Sequence, residues 1–280
     1  MKKIIVLIIS IIGINYAFAQ NASCCSAPER FAAFTDDLAF VNMHDEPLPF
    51  NFISENGEMI TFKCSDGKDA NAFALKATEK TDKYLLVFHE WWGLNDYIRL
   101  ESEKLYKDLG GNVNVLAIDM YDGKVAITKD SAQNYMKNLD QQRAKIILEG
   151  VLDHVGKKAE IVTIGWCMGG AFSLQAGIAA GEKAVGSVMY YGFPETDTAK
   201  LSKLNADVLM IWPNKDKWIT ATVVDQFKAD MLALNKPLKV EEYDADHAFA
   251  NPSNPKHNAE LAADAYAKSL IFIKSKFNMK

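Results

Sequence analysis

The stretch Gly165-Trp166-Cys167-Met168-Gly169-Gly170 restricts what this chain can become more than any other part of it. It follows the apolar run Ile161-Val162-Thr163-Ile164 and leads into Ala171-Phe172-Ser173-Leu174-Gln175-Ala176, so the order is strand, tight turn, helix, with a cysteine at the apex. A turn this sharp crowds the apex backbone and brings strand and helix too close for side chains, which is why glycines flank the cysteine. The pattern is that of a nucleophile elbow and points to thiol chemistry. The plain alternative is a buried, unreactive cysteine at an ordinary strand end, since unpaired cysteine is among the most buried residue types. That alternative requires none of these glycines.

The rest of the chain supplies the sheet around such a turn. Met59 to Cys64 and Ala70 to Lys76 read as two strands joined at Ser65-Asp66-Gly67, where aspartate and glycine favour a hairpin. Tyr84 to His89 is an apolar run suited to a strand buried on both faces. Beyond it, helical spacing over Tyr97 to Leu109 precedes a strand from Val113 to Ile118, and Lys129 to His154 reads as one long polar helix. Ala184 to Tyr190, Val208 to Trp212 and Leu238 to Tyr243 are further strands; Ala221 to Leu234 and His257 to Phe277 are helical. Strands alternating with helices predict an α/β fold with a mostly parallel central sheet and helices on both faces. Functional loops are then expected at the carboxyl ends of the strands.

The N-terminus carries a different signal. Met1-Lys2-Lys3, the apolar run Ile4 to Ile14 and Ala17-Phe18-Ala19 have the form of a secretory signal peptide over residues 1–19, cleaved before Gln20. The apolar run is too short to span a bilayer comfortably, so an exported protein, in the bacterial periplasm, is expected, without stable membrane insertion after cleavage. Asn21-Ala22-Ser23 before Cys24 lacks the leucine of a bacterial lipobox, which argues against lipidation. Residues 20–57, with Pro28, Pro47 and Pro49 and little periodicity, read as an extension wrapped on the surface; one large domain is expected over 58–280. Of the four cysteines, Cys64 is expected to pair with Cys24 or Cys25 if any disulfide forms. The net charge of −5 becomes more negative once Lys2 and Lys3 are removed, and no basic cluster suggests nucleic acid. No C-x-x-C or H-E-x-x-H spacing occurs, so neither a metal ion nor a cofactor is expected.

A cysteine nucleophile needs a base to take its proton and a carboxylate to orient that base. Asp216 lies just past the strand Val208 to Trp212, and His247 just past Leu238 to Tyr243, giving the order Cys167, Asp216, His247. That order matches the α/β-hydrolase arrangement. Asp207, Asp244 and Asp246 are nearby competitors for the carboxylate, and His89, at the end of its strand, competes for the base. His44 lies in the extension, His154 ends a helix and His257 begins one, where solvated or capping roles suffice. The oxyanion donors are expected to be the backbone N–H groups of Met168 and Trp91, with Trp91 and Trp92 walling the pocket.

At these residues the chain resembles the dienelactone hydrolase family of α/β-hydrolases. The resemblance runs from about Met59 to Phe277 and rests on the elbow, Glu90-Trp91-Trp92-Gly93-Leu94-Asn95, Asp119-Met120-Tyr121, Tyr190-Tyr191-Gly192, Asp216 and His247-Ala248-Phe249. It implies Cys167 as nucleophile, His247 as base, Asp216 as its orienter and Glu90 as a fourth carboxylate. In that family the glutamate engages the resting thiol and moves aside when substrate binds. A carboxylate near a thiol opposes the thiolate by like-charge repulsion, so such a gate is physically sensible. The family's substrate-gripping arginines are replaced here, where the chain has Asp122-Gly123-Lys124 and Asn251. Lys124 can add charge to the pocket but lacks arginine's bidentate grip. The expected activity is therefore hydrolysis of a small ester or lactone other than dienelactone itself. An exported thiol-redox protein and a non-catalytic binding module on the same fold are the alternatives.

Overall fold

The computed structural model describes residues 26–254 and 256–279. Among the described residues, eight strands form one sheet in the order β1-β2-β4-β3-β5-β6-β7-β8. They are β1 (Gly57–Lys63), β2 (Asp69–Leu75), β3 (Lys83–Phe88), β4 (Asn114–Ile118), β5 (Glu160–Trp166), β6 (Ala184–Tyr190), β7 (Asp207–Pro213) and β8 (Leu238–Tyr243). β2 runs antiparallel to both β1 and β4, and every other neighbouring pair is parallel. The central strands are buried nearly end to end, as their apolar composition requires when helices cover both faces. This is the α/β-hydrolase fold.

The helices are α1 (Ser26–Ala32), α2 (Leu38–Met43), α3 (Asp96–Asp108), α4 (Lys129–Lys137), α5 (Gln141–His154), α6 (Met168–Ala180), α7 (Thr198–Leu201), α8 (Ala221–Ala233) and α9 (Ala259–Lys276). None among the described residues is long and apolar enough to cross a membrane. The expected single helix over 129–154 is two. Asn138 closes α4, and the Asp140 carboxylate caps α5 by accepting the Arg143 N–H at 3.0 Å. A local side-chain acceptor offers the backbone a new start, which a count of helical periodicity does not register.

The larger correction concerns the N-terminal segment. Read as a surface wrap, it forms α1 and α2, which sink Phe31 and Phe40 completely. Phe40 meets the ring of Trp218 edge-on at 5.1 Å and that of Trp91 at 5.7 Å, while Phe31 meets Phe193 at 5.1 Å. The Asp37 carboxylate caps α2 and also accepts the Trp218 indole N–H at 3.0 Å. Helices of under two turns are not stable by themselves, so this segment holds its shape through tertiary contact. Cys64 is half-buried and has no disulfide partner among the described residues; its expected partners, Cys24 and Cys25, lie outside them, as does the expected signal peptide.

Aromatic anchoring of α2 predicts that Phe40→Ala lowers unfolding free energy by about 3–5 kcal/mol in chemical denaturation. Leu38→Ala on the same helix, 74% exposed, is expected to change it by less than about 0.5 kcal/mol.

Candidate active site

β3 lies between β4 and β5, where the chain's direction of sheet building reverses, and the site sits off the carboxyl ends of the strands around that point. β5 delivers Cys167 directly. Its φ of 55° and ψ of −120° lie where a side chain is strained, and the fold holds it there through close backbone contact. A Cβ on Gly165 would stand 2.1 Å from the Gly169 carbonyl oxygen, and one on Gly169 would stand 2.2 Å from that of Phe88. Only hydrogen fits at either position, so the flanking glycines do what the sequence motif requires of them.

Three side chains from different strand ends form one hydrogen-bonded chain. His247 Nε2 lies 3.4 Å from Cys167 Sγ, and His247 Nδ1 lies 2.6 Å from Asp216 Oδ2. The Nδ1–H donates to the carboxylate, which leaves the Nε2 lone pair facing the thiol. Asp216 Oδ1 accepts the backbone N–H groups of Trp218 at 2.9 Å and Ile219 at 3.0 Å. Burial works against the Asp216 charge, but His247 and those two N–H groups hold its carboxyl below the usual range. The competing aspartates point elsewhere: Asp244 pairs with Lys215, Asp207 with Lys276, and Asp246 is exposed.

His89 is occupied. Its Nε2 accepts the Met120 N–H at 3.0 Å, so Nδ1 carries the proton and donates to the Glu90 carbonyl at 2.6 Å. It ties the ends of β3 and β4 together and has no free ring nitrogen for proton transfer.

Glu90 is buried beside this chain. Its Oε1 accepts the Tyr191 hydroxyl at 3.2 Å and its Oε2 accepts the Asn251 amide. Burial pushes its carboxyl up to about 7, with His247, Tyr191 and Asn251 pulling the other way. Burial also drives the Cys167 thiol far above its ordinary value, and the Glu90 charge adds to the effect. The backbone N–H of Met168 works against both.

Trp92 lines a narrow cleft with Glu90, Tyr97, Trp166, Asn251 and Pro252. Trp91 is fully buried, its ring against Phe40 and Trp92. Lys124 is not brought into the group. It is exposed, with Nζ 5.7 Å from the Tyr135 ring centre, in a separate hollow formed with Tyr121 and Asn134. The sequence reading missed Tyr191 and Asn251 as the partners of Glu90, and it gave His44, in the extension, only a solvated or capping role. His44 is instead 1% exposed, its ring 5.4 Å from that of His247 and 4.6 Å from that of Trp91. Its position depends on α2 folding onto the site, and no local pattern around residue 44 signals that.

The dienelactone hydrolase family profile matches residues 70–277. A Saccharolobus solfataricus protein, whose name gives carboxymethylenebutenolidase as a provisional assignment, is 27% identical over 252 residues, covering 76% of this chain and 96% of its own length. A Klebsiella pneumoniae structure provisionally described as a dienelactone hydrolase superposes with a TM-score of 0.66 at 18% identity, over 78% of this chain and 99% of the other. A dienelactone hydrolase-like promiscuous phosphotriesterase from metagenomic libraries gives 0.64 at 19% identity, over 79% and 98%. At these identities the structural likeness speaks to the fold alone. With the family profile spanning most of its length, the chain belongs to the dienelactone hydrolase family.

Proposed function

We propose that this hydrolase cleaves small esters or lactones through a covalent thioester on Cys167. The observation that carries the reading is the 3.4 Å approach of His247 Nε2 to Cys167 Sγ, with Asp216 fixing the opposite ring nitrogen. In the first step the thiol proton passes to His247 Nε2 as sulfur bonds to the substrate carbonyl carbon. The oxyanion is held by the N–H groups of Met168 and Trp91, and one such donor is worth roughly 10²- to 10³-fold in rate. Collapse breaks the ester C–O bond, and the leaving oxygen takes the proton from His247. Water then attacks the thioester, gives a proton to His247 and releases the acid; the thiolate recovers the proton.

Glu90 acts as an electrostatic gate in this reading. With its carboxylate present the thiol stays protonated at rest, which suits a nucleophile working outside the cytoplasm, where the N-terminal signal would send it. The amide of Asn251 is taken by Glu90, and Lys124 stands apart, so among the described residues nothing in the site supplies a strong grip on a substrate carboxylate. Uncharged acyl esters are accordingly preferred over dienelactone. Against a thiol-redox role, Cys64 sits near Gly150 and Arg143, a set of neighbours that shares no residue with the His247 and Met168 surroundings of Cys167.

The protein starting at Gln20 is expected to hydrolyse p-nitrophenyl acetate, and Cys167→Ala to reduce turnover to background; equal rates would reject the thioester route. Dienelactone is expected to be turned over no faster than simple acyl esters, and a rate far above theirs would overturn the substrate assignment. The gate is read by alkylation. The thiol titrates above the point where Glu90 ionises, so Glu90 is charged there and raises the thiol. Glu90→Gln removes that charge and should shift the pH profile of iodoacetamide labelling of Cys167 downward by about one unit or more, one unit being 1.36 kcal/mol.

A further inference from the structure

One buried polar atom has no task in this mechanism. The Nδ1–H of His44 donates to the Phe40 carbonyl at 2.8 Å, so the lone pair is on Nε2, and Nε2 has no hydrogen-bond partner among the described residues. An unpaired polar atom in such a place costs free energy, and one beside a cluster of ligand-type side chains calls for a ligand.

The cluster is specific. One donor atom each from His44, Cys167 and His247 lies within 4.8 Å of the others, and all three residues are buried. The free nitrogen of His247 is Nε2, because Asp216 holds Nδ1; that of His44 is Nε2, because Phe40 holds Nδ1. We propose that His44, Cys167 and His247 form a binding site for a thiophilic divalent cation of the zinc type, and that the cation competes with an acyl group for Cys167.

Four features support this assignment. Two imidazoles and a thiolate are a donor set that zinc-like ions take and that magnesium and calcium refuse. Bonds of about 2.0–2.1 Å to nitrogen and 2.3 Å to sulfur place the two nitrogens and one sulfur roughly 3.3–3.6 Å apart in a tetrahedron. The His247–Cys167 pair already stands at 3.4 Å. Each imidazole has the outer-shell partner that a metal ligand requires, a carboxylate behind His247 and a backbone carbonyl behind His44. Closing the third side needs a movement on the order of 1 Å, within reach of a six-residue helix such as α2.

Binding breaks the S–H bond and forms a metal–sulfur bond. The proton passes to solvent and no electron is transferred. The Glu90 charge, which opposes a bare thiolate, favours one neutralised by a dication. Three protein donors leave a fourth position to water. Competition with substrate rests on the acyl-transfer reading above, whereas the metal site itself does not.

The test is Co²⁺ titration of the protein starting at Gln20, followed by optical absorption. The expected result is one Co²⁺ per chain, with sulfur-to-cobalt charge transfer and tetrahedral visible bands that Zn²⁺ abolishes. His44→Phe is expected to weaken Zn²⁺ binding in calorimetry by about 100-fold or more, while His44→Cys, which restores a donor, keeps the cobalt bands. Circular dichroism establishes that both variants are folded. Absence of the charge-transfer band, or equal Zn²⁺ affinity in folded His44→Phe, overturns the site. Zn²⁺ should inhibit hydrolysis in proportion to site occupancy, reversibly on chelation; full activity at full occupancy overturns the competition. Missing cobalt bands alongside Cys167-dependent turnover would sink the metal site alone. Cobalt bands alongside Cys167-independent turnover would sink the thioester route instead.

Discussion

The close approach of α6 to β3 and β5 is the constraint on which the rest of this site depends. Gly165 and Gly169 let the backbone of the elbow press against Phe88 and against itself, and that contact holds Cys167 at a positive φ. From this one forced geometry follows the direction of the thiol toward the ends of β7 and β8. The strain is local, and the buried parallel sheet around it supplies the rigidity that keeps it in place.

Electrostatics then divides the work among groups that would otherwise compete. Four titratable side chains share one buried space: Cys167, His247, Glu90 and His44. Burial disfavours charge on Cys167, Glu90 and His44, and among the described residues His247 is the one of the four backed by a carboxylate that itself accepts two backbone N–H groups. Asn251 and Tyr191 anchor Glu90 without neutralising it, so its influence on the thiol is through charge and not through a shared hydrogen bond. His44, tied by its other nitrogen to Phe40, presents an acceptor and nothing else.

Much of this was legible in the sequence, for identifiable reasons. Strands buried on both faces leave continuous apolar runs, so β3, β5, β6 and β7 stand out, and their positions just past strand ends group Cys167, Asp216 and His247 from sequence alone. Glycines at Gly165, Gly169 and Gly170 left a signature because no other residue fits there. The misses share a different cause. The break between α4 and α5 turns on one capping aspartate, and α1 and α2 are too short to leave periodicity. His44 meets Cys167 and His247, and Asn251 meets Glu90, across about 100 or more positions of sequence. Lys124 shows the converse: it occupies a suggestive place in the sequence, but its loop turns it toward Tyr135.

The central claim is that Cys167 carries an acyl group during turnover, and the direct measurement is to catch it there. Wild-type protein mixed with excess p-nitrophenyl acetate, quenched in acid within the first turnover and mapped by peptide mass spectrometry, should show an acetyl group on Cys167. That adduct should be labile to hydroxylamine, as a thioester is, and should disappear once substrate is exhausted. Steady release of p-nitrophenolate with the Cys167 peptide unmodified, or with acetyl confined to other residues, would contradict the account.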